Sequence, residues 1–390
     1  MNYSPKVTVC LPTYNSGEFL PQAIDSILEQ TFTDFELIIS DDCSTDRTPE
    51  IIQSYLSLDQ RIKYFRNREN LGLFPNWNQC LEYASGEYIT IFAQDDVMFP
   101  QNLEVKVKIM DKYPNVGLVA SSIMVVDANN KPLHWDWANY AEDKLVNGRE
   151  WVMNNLGEAN PICCPFVLIR RQAIEKFGGN FNSNYAYAAD LELWLRIGLV
   201  ADLYFVKEKL GYYRWHQGNK THSFDDFYQV KEHLQICSDL IDRLDFSKSE
   251  LNNLESETLS RTVKWVSYYR IYGHLEKGDF DYALKLCKLL ENWRGKSGKI
   301  SISVQELGTK IQEILQVNSR LKSEVNDLVA WVKNLEKGKS QLQEDANILR
   351  SWVDNLEQKN SALEDEKKWL ESQVKAWMQT AQKYYRESGG

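Results

Sequence analysis

The last proline of this 390-residue chain is Pro165, and all ten prolines lie at or before it. Proline breaks helices from within and punctuates turns. The stretch after Pro165 is therefore predicted to end in helices, and the front to mix strands, turns and helices. In that front, residues 6–11 (Lys-Val-Thr-Val-Cys-Leu) read as a strand stopped by Pro12. Phe19, Leu20, Ala23, Ile24, Ile27 and Leu28 then share one stripe of a helix, with Asn15 or Ser16 placed to cap it. Residues 35–40 predict a second strand, Thr48-Pro49 a helix start, residues 61–66 a third strand, and residues 75–84 a helix. The run Tyr88-Ile89-Thr90-Ile91-Phe92 is a fourth strand, apolar enough to be buried on both faces. This rhythm implies right-handed crossovers and an α/β fold with a mostly parallel sheet flanked by helices.

Two of these strands end in paired carboxylates, Asp41-Asp42 and Asp95-Asp96. Carboxyl ends of strands are where open α/β sheets bind ligands. Adjacent carboxylates in a cleft raise each other's pKa unless a cation neutralises them. Oxygen ligands of this kind suit Mg²⁺ or Mn²⁺, which in turn can hold a diphosphate. The plain alternative is a solvated Asp-Asp turn. The first strand delivers Pro12-Thr13-Tyr14-Asn15 to the same edge, where Tyr14 either stacks on a base or packs in the core. Asp42 can accept from a base N–H or a ribose hydroxyl. Asp190 opens a helix over residues 190–199, as a first-turn carboxylate favoured by the dipole or as a base of fixed position. His216, beside Arg214, is either structural or within reach of a metal or phosphate. Residues 131–140 form an aromatic loop whose tryptophans either stack on sugars or anchor the loop.

Other classes recede. A net charge of −10 without a basic run gives no footprint for nucleic acid. No glycine-rich dinucleotide fingerprint and no P-loop is present. No apolar stretch reaches the length of a signal peptide core or a bilayer span. Seven scattered cysteines without Cys-x-x-Cys spacing suggest reduced thiols and a cytoplasmic protein.

Taken in order, Val9-Cys10-Leu11-Pro12-Thr13-Tyr14-Asn15, Ser26-Ile27-Leu28-Glu29-Gln30-Thr31-Phe32, Asp41-Asp42-Cys43-Ser44-Thr45-Asp46, Asn70-Leu71-Gly72, Gln94-Asp95-Asp96 and Ala189-Asp190 resemble the family 2 glycosyltransferases of the GT-A fold. The resemblance covers about residues 5–223. It implies inverting transfer of a sugar from a nucleotide diphosphate, usually UDP, to an acceptor hydroxyl. It would place Pro12, Thr13, Tyr14, Asn15, Asp42, Asn70, Gly72, Gln94 and Asp95 at the nucleotide sugar. It would make Asp96 and His216 ligands of Mn²⁺ or Mg²⁺, and Asp190 the catalytic base. Gln94 replaces the first acidic residue of the family's Asp-x-Asp signature. Ala189 stands where an acidic residue often precedes the base. A glycan or lipid-linked acceptor, polysaccharide or glycolipid synthesis, and peripheral association with the inner face of the cell membrane follow by analogy only.

The back half is predicted helical: residues 224–300 pack on a catalytic domain of residues 1–223, with a hairpin break at Glu276-Lys277-Gly278-Asp279. From Val304 a heptad runs to the end of the chain, with Leu307, Ile314, Leu321 and each seventh residue to Leu370 and Trp377 at d. Val, Asn and Lys at a favour a parallel two-stranded coiled coil over residues 301–390 and hence a homodimer, with Asn318 and Asn360 setting register. A single long helix folded back on its own domain is the alternative. Two other functions compete with the transferase: a sugar nucleotidyltransferase, which would carry a glycine-rich basic loop after the first strand, and a degenerate transferase serving as a coiled-coil scaffold. Intact Asp42, Asp95, Asp96 and Asp190 weigh against the scaffold.

Overall fold

The computed structural model describes residues 4–134, 137–176, 178–243, 270–292 and 342–387, with a few helical residues between 309 and 330. Contacts divide the chain into two units, Met1–Arg243 and Leu244–Gly390.

The first unit is one nine-stranded sheet with helices on its faces. Strands β1 (Val7–Thr13), β2 (Phe35–Asp41), β3 (Ile62–Arg66) and β4 (Tyr88–Ile91) are all parallel, in the spatial order β3-β2-β1-β4. Every residue of β1, β2 and β4 is buried, which is why they read as unbroken apolar runs. The polar members of those runs are paired. The Thr8 hydroxyl donates to buried Glu36 at 2.6 Å, and Lys63 meets the same carboxylate at 2.6 Å.

Beyond β4 the sheet becomes mixed. The remaining strands are β5 (Val97–Met98), β6 (Val116–Val126), β7 (Lys144–Val146), β8 (Val167–Arg170) and β9 (Asp202–Arg214). Strand β8 lies antiparallel between β4 and β6, because the chain enters it from the far edge through the 3₁₀ turn Cys164–Phe166. Strands β6 and β9 are parallel, and β5 and β7 pair antiparallel with β9.

Helix α1 (Leu20–Leu28) buries Leu20, Ala23, Ile24 and Ile27 as the stripe requires. Neither side chain foreseen as its cap performs that role. The Ser16 carbonyl accepts from Leu20 N–H at 3.0 Å, and the Asn15 side chain accepts instead from Thr45 N–H at 2.8 Å. Asn15 has a φ of 47°, a left-handed conformation that asparagine tolerates. The other helices of this unit are α2 (Thr48–Leu56), α3 (Leu73–Tyr83), α4 (Asn102–Lys112), α5 (Gly148–Asn155), α6 (Arg171–Lys176), α7 (Ala189–Gly198) and α8 (Asp226–Arg243). All residues of α7 are buried except Asp190.

In the second unit, helices Tyr272–Glu276 and Phe280–Asn292 are joined by a turn at Lys277-Gly278-Asp279. Gly278 has a φ of 73°, which only glycine adopts freely, and this breaks the helix where foreseen. Leu342–Glu387 is one 46-residue helix. Along it Val353, Leu356, Leu363, Leu370 and Trp377, at a and d, are half-buried and Val374 is buried, whereas Trp352, Trp369 and Asn360 are exposed. Most heptad positions between 304 and 339, Asn318 and Trp331 among them, lie outside the described residues. Among the described residues, no helix is long and apolar enough to cross a membrane.

Candidate active site

A cleft of about 410 Å³ opens at the carboxyl edge of β1, β2 and β4. Its walls bring together Pro12, Thr13 and Tyr14 after β1, Asp42 after β2, Asn70 and Gly72 before α3, Gln94 and Asp95 after β4, and Asp190 on α7. Of the residues singled out in the sequence, Asn15, Asp96 and His216 do not line it. Asn15 braces the 44–46 turn behind the cleft, and the other two sit directly behind Asp95.

Tyr14 is exposed on the rim, not packed in the core. Its backbone is held in place by a side chain 80 residues away. Gln94 Oε1 accepts from Tyr14 N–H at 2.7 Å, and Gln94 Nε2 donates to the Tyr14 carbonyl at 3.3 Å.

Asp42 is heavily engaged. Oδ1 accepts from Leu71 N–H and Asn67 Nδ2, both at 2.8 Å, and Oδ2 accepts from Gly72 N–H at 2.9 Å. Its carboxylate thus shapes the Asn70-Leu71-Gly72 turn, where Gly72 has a φ of 90°. Asp41, on the other face of the strand, is fully buried and accepts from Ser44 N–H and the Tyr64 hydroxyl, each at 2.9 Å. Only one residue of this pair reaches the cleft.

The second pair is arranged differently. Asp95 Oδ2 lies 2.9 Å from His216 Nε2 and 3.3 Å from Asn219 Nδ2. Asp96 is 1 % exposed; Oδ1 accepts from Arg214 N–H at 2.8 Å, while Oδ2 is buried with no hydrogen-bond partner. Burial, and then the charge of Asp95, push the Asp96 carboxyl well above the usual carboxylate range. The buried Arg214 guanidinium acts in the opposite direction. It donates to four neutral oxygens, the Asp95 and Ala128 carbonyls and the side chains of Asn130 and Gln22, and stacks over Phe19. A fixed cation thus underlies the carboxylate pair without pairing to either member through its side chain.

Asp190 stands in the first turn of α7, open to the cleft yet walled by protein. Burial raises its carboxyl to about 6, against the pull of hydrogen bonds from its own helix and from Asn160. Leu191 N–H donates to Oδ1 at 2.7 Å and Asn160 Nδ2 to Oδ2 at 2.9 Å. A carboxyl group poised near neutrality, with its orientation set by a neighbouring amide, has the attributes of a general base. Asn160 is not evident in the sequence, where Asn160-Pro161 signals only a turn.

In the aromatic loop Trp137 is anchored, while Trp135 lies outside the described residues. Trp137 packs edge-on against Tyr213 at 5.3 Å, and its indole N–H donates to the Asn160 carbonyl at 3.0 Å. Its ring still forms part of the cleft wall, with Trp77 and Tyr187. Lys220, in the loop that follows β9, is the one cationic lining residue among the described residues. The cleft therefore carries Asp42, Asp95 and Asp190, with Asp96 beneath, against one lysine. The charged side chains lining it are thus mostly acidic among the described residues. Among the described residues no group of three His, Cys, Asp or Glu side chains forms a ready-made metal cage.

Comparison with known proteins agrees with this geometry. The family model described as glycosyl transferase family 2 matches residues 8–178, stopping short of Asp190. An uncharacterized glycosyltransferase of Rickettsia typhi is 27 % identical over 291 residues, covering 74 % of this chain and 87 % of the relative. TuaG of Bacillus subtilis, named as a candidate glycosyltransferase of teichuronic acid biosynthesis, is 31 % identical over 218 residues, covering 55 % of this chain and 80 % of the relative. The structure of S. aureus TarS 1-349 in complex with UDP-GlcNAc superposes with a TM-score of 0.62 at 19 % identity, covering 79 % of this chain and 87 % of that one, which shows a shared fold. The chain belongs to glycosyltransferase family 2 and is a transferase enzyme of the GT-A fold.

Proposed function

We propose that the enzyme transfers a sugar, with inversion, from a nucleotide diphosphate donor (UDP foremost) to an acceptor hydroxyl. The observation that carries this reading is the cleft itself: the Asp190 carboxyl, poised near neutrality, shares one cavity with the rim tyrosine Tyr14 and with Asp95, beneath which Asp96 keeps one oxygen without a partner. The structural neighbour TarS is solved with UDP-GlcNAc, which supports reading the donor here as a UDP-sugar. A Campylobacter jejuni relative, 32 % identical over 180 residues, is named GalNAc(5)-diNAcBac-PP-undecaprenol beta-1,3-glucosyltransferase. With TuaG it favours a glycan or lipid-linked acceptor.

In this reading Tyr14 stacks on the base, and Asp42 shapes the 70–72 turn against the nucleoside. Asp96 and His216 would hold Mn²⁺ or Mg²⁺, and Asp95 would face the ribose. The buried Asp96 Oδ2 lacks any other partner, which leaves it available to a hard ion. When bound, the ion supplies positive charge against the negative charge that develops on the leaving diphosphate. Asp190 accepts the proton of the acceptor hydroxyl as it attacks the anomeric carbon, and Asn160 holds the carboxylate in orientation. One base with no second carboxylate acting as nucleophile gives a single displacement and inversion.

The tail belongs to the same reading: residues 1–223 form the catalytic domain, residues 224–300 support it, and residues 301–390 pair two copies as a parallel coiled coil.

Screening UDP-, GDP- and dTDP-sugars for hydrolysis and then for transfer tests the proposal. Asp190→Asn should lower turnover by about 10³-fold while calorimetry shows near-normal donor affinity. Because Asp190 works ionised, turnover of the wild type should rise with pH through about 6 and level off above it. Undiminished turnover in Asp190→Asn would remove it from this role.

A further inference from the structure

The reading of Asp190 as base leaves open what fixes α7, since the turn that precedes it, residues 182–188, is irregular. Its backbone is tied from outside. Glu232, on α8, is 4 % exposed and accepts three consecutive backbone N–H groups: Ala186 at 2.6 Å on Oε1, and Tyr187 at 2.8 Å and Ala188 at 2.9 Å on Oε2. Ala188 is the N-cap of α7, two residues before Asp190. Seven residues along α8, and so on the same face, Asp239 accepts from the Tyr185 hydroxyl. Between them the Tyr187 ring lies 6.0 Å from that of His233. One face of α8 thus grips every residue from Tyr185 to Ala188.

We propose that Glu232 is a positioning residue for the transfer reaction, holding the start of α7 so that the Asp190 carboxylate faces the cleft. This rests on the reading of Asp190 as base. Three charge-assisted bonds to successive amides are stronger than neutral ones, and a carboxylate at a helix start is favoured by the dipole. The same turn also supplies Tyr187 to the cleft wall. Glu232 therefore sets two parts of the cleft at once while touching no substrate.

Its charge also acts on Asp190 directly, in the direction that raises the carboxyl. The other groups facing Asp190 are the Asn160 amide, the buried thiols of Cys163 and Cys164, the Tyr213 phenol and, around the cleft, Asp95 and Lys220. Removing Glu232's charge leaves all of these in place.

The test uses the full chain with Glu232→Gln and Glu232→Ala beside Asp190→Asn. Hydrolysis of the nucleotide sugar identified by the screen is measured across pH. Hydrogen exchange is followed in the peptide spanning residues 185–191. Glu232→Gln should lower kcat by about tenfold to hundredfold with donor KM within about twofold. The acid limb of the pH profile should move downward, and amide exchange at 186–188 should speed by about tenfold. A purely structural role would lower thermal stability and leave the limb unmoved, and that result would overturn the inference. Should Glu232→Ala fail to fold, Glu232→Gln decides, since it keeps the size of the side chain while removing its charge and one of its two acceptor oxygens. An active Asp190→Asn would sink the base assignment instead. An inactive Asp190→Asn beside a wild-type-like Glu232→Gln would sink only the role of Glu232.

Discussion

Asp41-Asp42 and Asp95-Asp96 look the same in one dimension: two aspartates at the carboxyl end of a buried parallel strand. In three dimensions they are opposites. The first pair is enclosed by donors, with backbone N–H groups of Ser44, Leu71 and Gly72 and side chains of Asn67 and Tyr64 within 2.9 Å. The second retains a buried oxygen with no partner and sits over a guanidinium that bonds the Asp95 backbone carbonyl but neither carboxyl group. A buried carboxylate that is saturated with hydrogen bonds contributes to the fold. One left short of them costs stability and persists where a ligand completes it. Satisfaction, more than position in the sequence, separates architecture from chemistry.

Substitutions should sort along that line. Asp96→Asn removes the group that most lacks a partner, so transfer should fall by about 10²-fold or more while the melting temperature holds or rises. Donor titration by calorimetry with and without Mn²⁺ would check it; affinity that stays metal-dependent would break the contrast. Asp42→Asn comes next, because an amide cannot accept from both Leu71 and Gly72 and from Asn67 as the carboxylate does. Loosening that turn should raise donor KM by several-fold and cost about 1–3 kcal/mol in denaturant unfolding. Asp41→Asn should do least to activity: an unfolding cost of about 1–2 kcal/mol with kcat unchanged. If Asp41→Asn instead stopped turnover at undiminished stability, the two pairs would have to be read alike.

Much of this was legible in advance, and the omissions share a cause. The strands, the apolar stripe of α1 and the helix carrying Asp190 followed from periodicity, because each is decided by residues close in sequence. That Asp95 lines the cleft and Asp96 lies beneath it was not legible, since it depends on Arg214, whose backbone N–H comes from 118 residues away. Asn160 reaches Asp190 across 30 residues and Glu232 reaches Ala188 across 44, with no motif around either. The mostly parallel sheet was foreseen, but the antiparallel direction of β8 was not, because it is set by where its entering turn lies. The capping role offered to Asn15 went to a carbonyl, and its side chain found the 45–46 turn instead.

The reciprocal pairing of the Gln94 side chain with the backbone of Tyr14 has one more consequence. Strands β1 and β4 are already neighbours in the sheet, and the amide joins their loops as a crossbar joins two rails. In the proposed reading, Tyr14 at the base and Asp95 at the donor are thereby coupled. A donor gripped at the base presses on the phosphate end as well, so the two halves of a nucleotide should bind in concert, and a nucleoside lacking phosphates should bind less tightly than its share of contacts suggests.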